Sequence, residues 1–75
     1  MDHDLKDKYI QLGLNLAYYR KMQNFTQEML AEAIGMERQT ISKLENASIG
    51  SSLDTIFKIA NALEIEPYKL FMPHD

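Results

Sequence analysis

Apolar residues along this chain recur at helical intervals, and no stretch alternates apolar and polar positions between hairpin signals as strands would. Leu12, Leu16 and Tyr19 share one face of a helix expected over about residues 4 to 23. Met29, Leu30, Ala33 and Ile34 mark a second helix over 27–34, and Ile41 and Leu44 a third over about 37–46. Leu53, Ile56, Phe57, Ile59, Ala60 and Leu63 supply the core positions of a fourth over about 53–63. PYKLFM, residues 67–72, makes a short fifth that offers Leu70 and Phe71 to the core. The breaks fall at Asn24, at Gly35, at Asn46 through Ser52, and at Pro67 and Pro73. The end signals agree with them. Thr26 and Ser52 are suited to N-caps, and Phe25 with Leu30 to a hydrophobic staple. Gly35 suits a left-handed helix end, and Pro67 a first helical position. The expected architecture is all-α, with five helices.

The short second and third helices are separated by little more than Gly35, so they must cross steeply, as in a helix-turn-helix. Ala31, in the middle of the second, leaves room for the third to approach. At about 100° per residue with Ile41 as origin, the buried side of the third helix centres near 330°. Gln39 and Asn46 then point directly outward, Ser42 and Lys43 flank them, and Arg38 and Thr40 lie on the shoulders. The helix therefore turns a continuous surface of hydrogen-bond donors away from the body. A plain solvated face would look similar. What gives the donors meaning is the second place in a tight helix-turn-helix, together with the ability of Arg and Gln to bond in pairs to guanine and adenine edges. Glu45 falls near the buried side at about 40°, where a carboxylate needs a partner. Arg20, just after Leu16 and Tyr19, is the partner expected; in the rival reading Arg20 grips phosphate and Glu45 is exposed.

Length and charge restrict these readings. Seventy-five residues suit one domain, expected to span 1–75 with its core at about 10–72 and frayed ends. There is no cysteine, no apolar run long enough for a membrane, and an acidic N-terminus without an apolar signal core, so a cytoplasmic protein with no membrane partner is expected. Eight basic against 11 acidic residues, net −3, argues against nucleic acid when taken alone. But Asp2, Asp4, Asp7, Glu64, Glu66 and Asp75 all sit toward the ends, where they can lie away from a central binding face. An enzyme is not expected. His3 and His74 lie at the termini, no nucleophile–base pair is visible, and Asp2-His3-Asp4 reads as a solvated end rather than a metal site. No cofactor, metal or small-molecule effector domain is expected.

The stretch RKMQNFTQEMLAEAIGMERQTISKLENASIGSSLDTIFKIANAL resembles the phage repressor/Cro-type (XRE-like) helix-turn-helix domain, over roughly residues 10–72. The most specific part sets Ala31, Gly35, Ile41 and Leu44 four, eight, fourteen and seventeen residues after Gln27. The resemblance implies a compact, five-helix, lambda-repressor-like domain that binds double-stranded operator DNA, often as a homodimer. It also implies roles. Arg38, Gln39 and Lys43 match base-reading positions. Gln27, with its backbone N–H at a helix N-terminus, would hold a phosphate, with Thr26 beside it. Thr40 and Ser42 would touch phosphate or thymine methyl groups, Asn46 would reach the backbone, and Arg20 and Glu45 would form a buried structural pair. Two positions depart from the pattern. Glu37 stands where Ser or Thr commonly caps the third helix; it either accepts from cytosine or weakens binding. The loop 47–52, ASIGSS, carries no basic residue, which implies a shallow salt dependence and a need for dimerisation.

Leu14, Tyr18 and Met22 recur every four residues, offset from the core stripe. They either meet the fifth helix through Tyr68 or Phe71, or form an exposed stripe for self-association or another protein. Tyr68, Phe71 and Met72 are the other dimer candidates. Two functions from different classes therefore stand: a sequence-specific DNA-binding regulator, repressor-like in occupying an operator, and a protein-interaction module or antitoxin-like partner on the same scaffold. The donors of the third helix favour the first, and the acidic balance favours the second.

Overall fold

The structure, a computed structural model, describes residues 3 to 73. Four α-helices follow one another there: α1, Lys6–Met22; α2, Gln27–Ile34; α3, Arg38–Glu45; and α4, Leu53–Leu63. A 3₁₀ turn at His3–Leu5 leads into α1, and another at Pro67–Phe71 follows α4. Asp2, His74 and Asp75, assigned above to the chain ends, lie outside the described residues.

Local chemistry sets most of the boundaries. Thr26 Oγ1 accepts from the Met29 N–H at 3.0 Å and Ser52 Oγ from the Thr55 N–H at 3.2 Å, so α2 and α4 each open on a side-chain cap. Glu37 precedes α3 in an extended conformation and makes no such bond. Gly35 turns the chain out of α2 at φ 71°, while the Met36 and Gly35 N–H groups bond back to the carbonyls of Ala31 and Glu32. Ala47 ends α3 in the same left-handed region at φ 61°, with the Ser48 N–H returning to the Lys43 carbonyl at 2.9 Å. Glu64 does so after α4.

The core is shared by all four helices and the C-terminal turn. Leu16, Leu30, Ile41, Ile59, Leu63 and Leu70 are fully buried, with Leu12, Ala31, Ile34, Leu44, Ile56 and Ala60 around them. Tyr19 and Phe25 are partly buried against this cluster.

Several expectations are corrected. The fifth helix is a five-residue 3₁₀ turn, because so short a segment closes too few α-type bonds to offset nucleation. The first helix starts at Lys6 rather than Asp4, and the third covers 38–45 rather than 37–46. Leu53 and Phe57 are exposed, not core. The buried stripe of α4 is Ile56, Ile59, Ala60 and Leu63, and Phe57 lies about 100° from Ile56 around the helix. Met29 and Ala33 on α2 are likewise exposed, leaving Leu30, Ala31 and Ile34 as its inner face. Phe71 is exposed because only Leu70 of the C-terminal turn points inward.

Candidate nucleic-acid interface

α3 is attached to the body by both its apolar residues and its C-terminal end. Ile41 and Leu44 are buried, and Ala31 of α2, also buried, keeps the two helices close. At the far end α1 passes over α3 with no space to spare. A Cβ added to Gly13 would lie 2.5 Å from the Glu45 carbonyl oxygen and 2.7 Å from that of Leu44. Only glycine permits that approach without a backbone shift.

Beside this contact lies the ion pair. Arg20 Nε donates to Glu45 Oε2 at 2.5 Å and Arg20 Nη2 to Glu45 Oε1 at 3.1 Å, a two-bond arrangement of the strong kind. Arg20 Nη1 also donates to the Phe25 carbonyl at 2.7 Å, tying in the α1–α2 turn. Both side chains are 9% exposed. With its guanidinium committed in this way, Arg20 is a structural residue and not a surface cation.

The outer face of α3 carries Arg38, Gln39 and Lys43, all exposed, and Thr40 and Ser42, half-buried. Gln27, at the first position of α2, lies between this face and the ion pair. Its Nε2 donates to Glu45 Oε1 at 3.0 Å, and its Oε1 accepts from Arg38 Nη1 at 3.3 Å. Thr26, Gln27 and Arg38 line a shallow hollow at the start of α2, with Glu28 and Glu32 on its acidic side. Asn46 is exposed just past α3, and its Oδ1 accepts from both the N–H (3.0 Å) and the hydroxyl of Ser48. It shapes the turn that follows.

The charge of this region is not basic. Residues 26–46 hold Arg38 and Lys43 against Glu28, Glu32, Glu37 and Glu45. With Glu45 matched by Arg20, two cations face three carboxylates. Hydrogen-bond geometry, rather than net charge, distinguishes this face.

The expected partner residues occupy a different side. Leu14, Tyr18, Met22, Tyr68, Phe71 and Met72 are between 47% and 61% exposed. α1 meets the C-terminal turn, and Asn15 makes the hydrogen bonds between them. Asn15, fully buried, donates from Nδ2 to the carbonyls of Leu70 (2.9 Å) and Met72 (2.6 Å), with a longer contact to that of Lys69, and accepts from Gln11 Nε2 at 2.8 Å. Sequence reasoning missed Asn15, although a signal was present: it falls between Leu12 and Leu16 on the buried stripe, where an amide needs partners. It also missed Gly13, and Gln23, whose Nε2 caps the Leu63 carbonyl at 2.9 Å. Among the described residues no group of three or more His, Cys, Asp or Glu could hold a metal, and no helix is long and apolar enough to cross a membrane.

Comparison with known proteins points the same way as the geometry. A family model described as helix-turn-helix matches residues 16–70. An uncharacterised HTH-type transcriptional regulator of Methanocaldococcus jannaschii is 40% identical over 60 residues, covering 80% of this chain and 91% of the relative. The antitoxin HipB of Escherichia coli O6:H1 is 40% identical over 55 residues, where the match covers 73% of this chain and only 58% of HipB. Among solved structures, the restriction-modification controller protein C.AhdI of Aeromonas hydrophila superposes with a TM-score of 0.87 at 35% identity, over 92% of this chain and all of its own. The hypothetical transcription factor NHTF from Neisseria gives 0.85 at 31%, over 89% of this chain and 77% of its own.

Proposed function

The chain belongs to the Cro/C1-type helix-turn-helix family, and from that premise we propose that it is a sequence-specific DNA-binding regulator, repressor-like in action, that reads an operator in the major groove with α3. The observation that carries this reading is the attachment of α3. Its apolar side and C-terminal end are anchored by Ile41, Leu44, Gly13 and the Arg20–Glu45 pair, while Arg38, Gln39 and Lys43 are left outward. Arg38 and Lys43 suit guanine O6 and N7, and Gln39 suits adenine N6 and N7. Thr26, the N-terminus of α2 and Gln27 would seat a phosphate at the edge of the hollow. Thr40, Ser42 and Asn46 would add backbone contacts.

One module with so few cations binds weakly, so the reading includes a homodimer on DNA. Two copies related by a two-fold axis would set their α3 helices about 34–36 Å apart on a near-palindromic site. The exposed Leu14, Tyr18, Tyr68 and Phe71 are the candidate contact surface. With Arg38 and Lys43 as the outward cations of each copy, the slope of log K against log salt should be no steeper than about −4.

Selection from a random duplex library, at low and at moderate salt, tests the reading. An inverted repeat with half-sites one turn apart is expected, and Arg38→Ala with Gln39→Ala should abolish the enrichment while leaving the fold intact. A folded protein that enriches nothing at low salt defeats it. A second reading, an antitoxin-like partner for another protein, is favoured by the exposed apolar residues of α1 and by the similarity to HipB. It requires partner binding that survives loss of Arg38 and Gln39 and is lost on changing Leu14 and Tyr18.

A further inference from the structure

The loop over residues 47–52, which leaves the C-terminal end of α3, carries three serines and no basic residue. Each serine hydroxyl is already committed. Ser48 donates to Asn46 Oδ1, Ser51 to the Ser52 carbonyl at 3.1 Å, and Ser52 to Thr55 Oγ1 at 3.1 Å. The donor left over comes from another element. Tyr9 lies one turn before Gly13 on the same face of α1, the face that crosses the end of α3. Its ring is partly buried against the core, and its hydroxyl reaches the loop at Gly50.

Gly50 makes room for that ring. A Cβ added there would lie 3.2 Å from the Tyr9 hydroxyl oxygen and 3.3 Å from Tyr9 Cε1, closer than ordinary contact. Among the described glycines only Gly35 is left-handed, so the ring, and not the backbone conformation, favours glycine at position 50. The Tyr9 hydroxyl has no hydrogen-bond partner among the described residues, and no buried side-chain oxygen or nitrogen there lacks one. The hydroxyl is therefore open to solvent. Tyrosine suits such a place, because a packed ring with two side-chain torsions holds its O–H in a set position at little entropic cost.

A helix of eight residues is about 12 Å long, close to the width of the major groove. With α3 in the groove, the segment leaving its end meets the phosphate backbone at the groove wall. Tyrosine is among the side chains that donate to phosphate oxygens. We propose that Tyr9 is a DNA-contact residue whose hydroxyl donates to a phosphate oxygen beside the loop. It supplies from α1 a contact for which the loop itself has neither a cation nor a hydroxyl to spare. The proposal rests on the DNA-reading function argued above. Because the donor is neutral, the contact adds affinity without releasing further counterions and without reading a base.

The experiment compares wild type with Tyr9→Phe, which keeps the ring and removes only the oxygen. Wild type first selects its site from a random duplex library. Affinities for that site are then measured at several salt concentrations, and on duplexes in which one phosphate at a time is replaced by an uncharged methylphosphonate. Tyr9→Phe is expected to melt within a few degrees of wild type and to bind the site about tenfold less tightly per copy. The slope of log K against log salt and the base preferences should be unchanged. One phosphate in each half-site should carry a methylphosphonate penalty in wild type that largely disappears in Tyr9→Phe, while the penalties at other phosphates persist. Unchanged affinity overturns the proposal. So does a loss of affinity that leaves the penalty at every phosphate as it was, the behaviour of a hydroxyl that only seats the loop. Either result leaves the DNA-reading function standing. A folded wild type that enriches no sequence overturns both.

Discussion

Helix α1 holds two buried polar residues, and they join it to two different elements by different chemistry. Arg20 meets α3 through a charge pair, Glu45, and one backbone carbonyl. Asn15 meets the C-terminal turn through carbonyls and no charge. The first junction continues outward to Gln27 and Arg38. The second ends at the turn it holds, under an exterior of Tyr68, Phe71 and Met72. Where α3 must present donors in a set direction, the attachment is directional and ionic. Where a short turn has only to be held down, a neutral amide adds to the burial of Leu70. An unpaired charge is far more costly to bury than an unpaired amide, so the two junctions should also fail differently.

The largest effect is expected at the ionic junction. Arg20→Ala leaves the Glu45 carboxylate buried without its partner and should cost about 3–5 kcal/mol, a large part of the stability of so small a domain. Replacing both residues by apolar ones of similar volume should recover most of that loss, since pair and partnerless charge are then both absent. Urea denaturation of the two variants distinguishes these outcomes. If the single and double changes cost the same, the junction is held by contact rather than by charge.

Gly13→Ala breaks the same junction without touching a charge. The new methyl group would sit 2.5 Å from the Glu45 carbonyl oxygen, so α1 and α3 must separate. A loss of about 1–3 kcal/mol is expected, read as a lower midpoint of thermal unfolding. At the other junction, Asn15→Ala should cost about 1–3 kcal/mol. Its distinguishing sign is local. Amide hydrogen exchange should quicken over residues 66–72 while α2 and α3 stay protected. Faster exchange in α3 as well would mean that the two junctions are not independent.

The smallest effect tests the start of α3, which has no side-chain cap. Glu37→Ser would give α3 an oxygen for its first free N–H groups and should stabilise by about 1 kcal/mol. It would also remove a carboxylate beside the face proposed to meet DNA, so binding to an enriched site should strengthen slightly more than stability alone explains. Weaker binding would instead indicate that Glu37 itself contacts a base.

The spacing of apolar residues and the end signals determined by themselves the order of α1 to α4, the turn at Gly35 and the buried side of α3. Those features depend on neighbours three or four residues away, and such neighbours are visible in a linear string. The partnership of Arg20 with Glu45 was legible for a related reason: a carboxylate on a buried stripe demands a cation, and one stood at the end of the adjoining helix. Only the tertiary structure decided the rest. Asn15 reaches carbonyls 55 and 57 residues away, and no local pattern marks which backbone groups a buried amide will meet. Gly13 matters because a second helix passes over it, and Leu53 and Phe57 stay outside because no element covers that part of α4. The bonds of the Gln27 amide are unmarked along the sequence, because its partners are a carboxylate 18 residues ahead and a guanidinium 11 residues ahead.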